Sequence, residues 1–170
     1  MTPPPFRVLA PALKLSATLL AVLGVALVIV LWPHWRRNPD LSHGLFMPFI
    51  FFLLIAEARR GAPRHFALGR GGRAALGALL LVGLAGLAAS GLYAVSLGWS
   101  HDLVAFMLTA SFVVFLTAGL LVFSSAPVQW VPLNWSALVG IGLWLLCAPI
   151  PPGTYSRLTL GLQLMVTENV

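Results

Sequence analysis

Long runs of apolar residues constrain the fold of this chain more than any other feature of its sequence. Several of them approach the roughly 20 residues that an α-helix needs to cross the hydrocarbon core of a bilayer. Charged residues make up only 8% of the chain, against about 25% in a typical soluble domain. The mean hydropathy of +0.96 points the same way, so the sequence predicts a multi-pass membrane protein whose surface contacts membrane lipid.

The apolar runs predict five transmembrane helices and the start of a sixth segment near Tyr155. Helices are expected because unpaired backbone groups cost too much in hydrocarbon, and the alternating pattern of a transmembrane β-strand is missing. The expected spans are Ala12–Trp32, Pro39–Ala58, Ala74–Trp99, Leu103–Ala126 and Leu133–Ala148. We therefore expect an all-α polytopic membrane helix bundle, in which residues 1–170 form a single integral membrane domain.

The positions of Lys and Arg predict the orientation of this bundle. Three of the ten, Arg36, Arg37 and Arg157, lie on one side, and the other seven lie on the side of the N-terminus. The positive-inside tendency then places the N-terminus in the cytoplasm, with "NPDLSHG" and "PIPPGTYSR" on the outer face. These basic residues lie in short loops without interleaved aromatic stacking platforms, so no nucleic-acid partner is expected.

The second span must begin before its most apolar part. A helix from Leu45 to Ala58 has only about 14 residues, or roughly 21 Å, which is too short to cross the membrane. Beginning at Pro39 gives about 20 residues, and Asn38 before this proline is a favourable N-cap. We therefore expect the helix to begin at Asn38 and to place His43 at the outer interface.

The residues around His43 predict a polar pocket that opens outward. Asp40 lies three positions before His43, so its carboxylate can reach the imidazole ring. Pro48 lies four positions after Gly44, so we expect a bend that leaves a free carbonyl near the ring. A histidine at a membrane interface is also often merely solvated, and this alternative stays open.

The remaining polar and thiol groups predict no metal site and no cofactor site. His34 and His101 are expected in loops, and a metal site from His34, Asp40 and His43 lacks a supporting ligand spacing. Cys147 is the single cysteine of the chain and lies in an apolar run, where we expect a packed thiol without a catalytic role.

Small residues recur every four positions in the third span. They are Gly86, Ser90, Ala94 and Gly98. This spacing places them on one face of the helix, where the backbone of another helix can approach closely. Packing within the chain is the favoured interpretation, and a homodimer contact is the alternative.

Two stretches of the sequence resemble blocks of the exosortase/archaeosortase family. "NPDLSHGLFMPFIFFLLIAEARR" is similar to the N-terminal block, in which Ser42, His43 and Gly44 precede a proline in a membrane helix, here Pro48. "LWLLCAPIPPGTYSRLTLGLQLMVTENV" is similar to a later block, in which a Pro-x-Pro turn leads to a helix with a Leu-Gln pair. The corresponding residues are Pro149, Pro151, Leu162 and Gln163.

The resemblance implies a membrane cysteine protease or transpeptidase of the bacterial inner (plasma) membrane, often in bacteria that make exopolysaccharide. Its partners would be exported proteins that carry a C-terminal sorting signal with a transmembrane helix. The residues that we expect to line an outer-face vestibule are Asp40, Ser42, His43, Gly44, Pro48, Pro149, Pro151 and Gln163.

The sequence departs from this family at the catalytic motif. The family's nucleophile lies in a Cys-Ser-Gly motif, which this sequence does not contain, and Cys147 does not match its position. We therefore expect no catalytic residue within the chain and interpret it as the N-terminal portion of an exosortase-like protein. The alternative is a non-catalytic membrane scaffold or subunit that partners a separate catalytic chain. A transporter ranks last because Glu57, the ionisable residue nearest to a span interior, lies at a span end.

Overall fold

The computed structural model describes residues 10–60, 69–150 and 152–167, and within these ranges the chain forms helices and no extended strand. The α-helices are α1 (Pro11–Arg37), α2 (Met47–Arg60), α3 (Arg70–Leu97), α4 (Asp102–Phe123), α5 (Trp135–Leu143) and α6 (Pro152–Thr167). The chain also forms two 3₁₀ helices within the described residues. The first (Pro39–Phe46) precedes α2, and the second (Trp144–Cys147) follows α5. The prediction of an all-α helix bundle is confirmed.

Four helical segments of the described residues are long and apolar enough to cross a membrane. They are Pro11–Arg37, Pro39–Arg60, Arg70–Leu97 and Asp102–Phe123. The fifth expected span is a shorter apolar helix, Trp135–Cys147, whose length of about 20 Å is less than the roughly 30 Å of the hydrocarbon core. It begins at Asn134, whose side chain accepts a hydrogen bond from the Ala137 N–H.

The first helix ends later than expected, whereas the second span begins at Pro39 as expected. The first span was expected to end at Pro33, but α1 continues through this proline to Arg37. Asn38 caps the next segment as expected, because its side chain accepts a hydrogen bond from the Asp40 N–H. The segment then begins as a 3₁₀ helix and becomes α-helical only at Met47.

The small-residue face of α3 packs against α4. Ser90 is fully buried and Ala94 is 4% exposed, and a Cβ added at Gly86 would collide with the Ser111 hydroxyl of α4. The structure therefore supports packing within the chain. Gly98 ends α3 with φ of 86°, a left-handed conformation that glycine adopts without steric cost.

Two apolar clusters hold the bundle together, and one of them supports a polar surface. The first cluster contains Leu31, Trp35, Phe112, Trp144 and Cys147. It lies beneath the end at which α1 ends, α4 begins and the second 3₁₀ helix ends. The second cluster, toward the other end, contains Ala58, Leu120, Phe123, Val131, Ala137 and Ile141.

Candidate functional site

A polar cleft of about 590 Å³ lies at the end of the bundle where α1 ends and α4 begins. Its lining residues come from α1, the first 3₁₀ helix, the α3–α4 connection, the start of α4 and the segment after the second 3₁₀ helix. They are Pro33, His34, Arg37, Asn38, Asp40, Leu41, Ser100, Asp102, Pro149 and Ile150. The cleft thus brings the "NPDL" stretch together with the "API" stretch, more than a hundred residues later.

His34 and Asp102 lie against each other in this cleft, a contact that the sequence did not reveal. His34 Nδ1 lies 3.3 Å from Asp102 Oδ1, and the exposed fractions of the two side chains are 11% and 42%. His34 was expected in a loop, but it lies in the last turn of α1 because the helix continues through Pro33. The expected topology places the end of the first span and the start of the fourth on one face, and this is the signal that could have suggested the pair.

Asp40 lines the cleft, but its carboxylate is not paired with His43. The His43 ring instead places Nε2 at 3.0 Å from the Leu146 carbonyl oxygen in the second 3₁₀ helix. Ser42 lies between Asp40 and His43 in the sequence, and its hydroxyl donates a hydrogen bond of 2.7 Å to the Pro39 carbonyl. His43 therefore connects two segments of the site, whereas Asp40 presents an exposed carboxylate to the cleft.

Gly44 is buried against the indole ring of Trp35, which in turn donates a hydrogen bond of 2.9 Å from Nε1 to the Cys147 carbonyl. The carbonyl of Gly44 was expected to be free, but it accepts a hydrogen bond from the Met47 N–H. The reason is the 3₁₀ geometry, in which a carbonyl bonds to the N–H three residues later and not four. Pro48 therefore does not leave this oxygen unpaired.

The other expected vestibule residues lie in different surroundings. Pro149 is buried and lines the cleft, whereas Pro48 lines a separate apolar groove. Gln163 is exposed on α6 and is not among the residues that line the cleft. Pro151 lies outside the described residues.

Cys147 has the surroundings of a structural thiol. Its side chain is fully buried, its Sγ lies 3.4 Å from the Leu143 carbonyl oxygen, and it does not line the cleft. Among the described residues, no three His, Cys, Asp or Glu side chains lie close enough together to hold a metal ion. His101 caps α4, because its Nδ1 accepts a hydrogen bond from the Leu103 N–H.

The fold and the cleft define a multi-pass helical membrane protein with a polar site at one end of its bundle. The family model of the transmembrane exosortases (Exosortase_EpsH) matches residues 35–170. The chain therefore belongs to the exosortase family, as the two sequence blocks predicted. No curated protein and no solved structure matches the chain.

Proposed function

We propose that this chain supplies the substrate-binding part of an exosortase-like membrane cysteine protease or transpeptidase. Its substrates would be exported proteins with a C-terminal transmembrane sorting signal, processed at the outer face of the bacterial inner membrane, with the N-terminus of this chain in the cytoplasm. The observation that carries the proposal is the polar cleft, which lies at one end of the bundle and is lined by residues of both family blocks. An extended polypeptide segment beside a substrate helix would bind there.

The chemistry of such an enzyme needs a thiolate that attacks a peptide carbonyl, forming a thioester while the protonated amine leaves. Cys147 does not fit this role, because it is buried away from the cleft and its Sγ contacts a backbone carbonyl. We therefore assign the nucleophile to residues beyond this sequence, in a longer form of the protein or in a separate catalytic chain. Cleft residues such as Asp40 and Ser100 would position the substrate.

Blocking the cleft tests this function. We expect Ser100→Trp to reduce processing of an exported reporter by at least about tenfold, equivalent to about 1.4 kcal/mol of lost substrate binding. The variant would be expressed in the native host, and processing would be followed by the mass shift of a reporter that ends in a sorting signal. Ser96→Trp is the matched control, since Ser96 is an exposed serine of α3 that does not line the cleft. Processing by Ser100→Trp at the rate of this control would contradict the proposal.

Replacing His43 tests whether its bond between the first and the second 3₁₀ helix matters for the reaction. We expect His43→Ala to slow processing about tenfold without loss of the protein, because a shift of roughly 1 Å in a site can cost up to about 10²-fold. His43→Gln should recover much of the rate, since its terminal amide can donate to the Leu146 carbonyl as Nε2 does. If both variants process at the wild-type rate, His43 has no part in positioning the site.

The alternative function is a non-catalytic membrane scaffold or subunit that partners a separate catalytic chain. The position of Cys147 favours this alternative function, because the cleft formed by the described residues contains no cysteine. The two proposals differ in one measurement. A scaffold would leave reporter processing unchanged in Ser100→Trp, whereas a chain that binds the substrate in the cleft would not.

A further inference from the structure

A second concavity lies between α1 and α2, with α4 as its floor. It has a volume of about 650 Å³, within the range of about 300–1,000 Å³ that is typical of small-ligand sites. We call it the lateral groove. Its lining residues include Ala17, Ala21 and Gly24 of α1, Phe51 and Ile55 of α2, and Phe112 and Leu116 of α4.

The length of the lateral groove matches one leaflet and not a whole bilayer. Along α1 its lining residues extend from Ala17 to Ile29, and along α2 from Pro48 to Arg59. Either distance corresponds to about 16–18 Å of helix, close to half of the roughly 30 Å hydrocarbon core. A transmembrane helix needs about 20 residues to cross, so a groove of this length suits an acyl chain that enters from one leaflet.

Charge identifies the kind of lipid. Arg59 is the one ionisable residue among the described residues that line the lateral groove. It lies in the last turn of α2, at one end of the groove. An amphiphile with an apolar chain and a negative group at one end is complementary to this arrangement. Its neighbour Arg60 does not line the groove, and its side chain is 77% exposed.

We propose that the lateral groove binds one acyl chain of an anionic phospholipid, whose phosphate lies at Arg59. The acyl chain of the lipid lies against Gly24, Phe51 and Phe112 and fills the space between α1 and α2. Burial of methylene groups does not by itself favour the groove, because lipid tails surround the bundle on all sides. Selectivity therefore comes from the shape of the groove and from the charge of Arg59.

Native mass spectrometry of the protein extracted from its own membrane in a mild detergent tests the proposal. We expect the wild type to retain one phosphatidylglycerol per chain after washing and to exchange it poorly for added phosphatidylcholine. Ala21→Trp, which fills the groove, should lose this lipid. Ala26→Trp is its matched control, since Ala26 is an exposed alanine of α1 that does not line the groove.

The charge is tested separately. Arg59→Gln should still bind lipid but should lose its preference for phosphatidylglycerol by about fivefold, the factor that corresponds to the roughly 1 kcal/mol of one basic residue near anionic lipid. Arg60→Gln removes the same charge one residue later and should keep the preference. Equal lipid retention by Ala21→Trp and Ala26→Trp overturns the proposal, as does equal selectivity in the two arginine variants. A polypeptide helix retained by the wild type in place of the lipid also overturns it.

Discussion

Gly44→Ala is expected to destabilise the protein by about 3 kcal/mol, although it adds a single methyl group. A Cβ at this position would lie under 3.0 Å from three atoms of the Trp35 indole ring. The ring has little room to move, because Trp35 is 2% exposed and its Nε1 donates a hydrogen bond to the Cys147 carbonyl. Overpacking costs about 1–3 kcal/mol, and displacement of the ring adds about 1–3 kcal/mol for the unpaired buried carbonyl.

The free energy of unfolding would be measured by circular dichroism during titration of the purified protein from a mild detergent into SDS. Gly91→Ala is the matched control, because nothing lies within 4 Å of a Cβ built at this position in the last third of α3. This control should be neutral or stabilising by about 0.5–1 kcal/mol, since alanine is the better helix former. Equal unfolding free energies for the two variants would show that Gly44 is not in contact with the indole ring in the folded protein.

The features of the fold that were predicted correctly are those that depend on local sequence. The helical class and the long spans follow from apolar runs that reach the thickness of a bilayer. The cap at Asn38 and the packing face of Ser90 and Ala94 follow from residue types a few positions apart. Local patterns did not predict the 3₁₀ geometry of Pro39–Phe46 or the continuation of α1 through Pro33, because tertiary packing overrides propensity at such points.

The candidate site was less predictable because its contacts join distant parts of the sequence. The bond of His43 to the Leu146 carbonyl connects residues 103 positions apart, and that of Trp35 to the Cys147 carbonyl connects residues 112 apart. The sequence offered Asp40 as the near partner of His43, and the structure places both beside the segment that contains Pro149. The vestibule expected from the family resemblance stays a prediction; the structure places Asp40 and Pro149 along one cleft, and the pairs of atoms that meet required the fold.

Trp35→Ala is expected to have the largest effect on stability, about 3–5 kcal/mol, the usual cost of truncating a buried aromatic residue. Trp35 is among the largest fully buried side chains and belongs to the cluster that supports the cleft. Trp35→Phe should cost less, about 1–3 kcal/mol, because it retains most of the packing and loses the donor to the Cys147 carbonyl. Trp32→Ala is the control on the same helix, since Trp32 is 48% exposed, and it should change the unfolding free energy by less than about 1 kcal/mol.

The comparison of these three variants also separates the stability of the bundle from the shape of the cleft. Trp35 donates its hydrogen bond to the carbonyl of Cys147. Cys147 lies two residues before Pro149, which lines the cleft. Trp35→Phe leaves the bundle folded but releases this carbonyl, so reporter processing should fall while the protein level and the helical content stay near those of the wild type. A Trp35→Phe variant that processes the reporter normally would mean that the position of Pro149 is set by the rest of its segment and not by the Trp35 hydrogen bond. If Trp35→Ala is as stable as Trp32→Ala, then Trp35 of α1 is not buried against the first and second 3₁₀ helices as described, and the geometry proposed for this wall of the cleft is wrong.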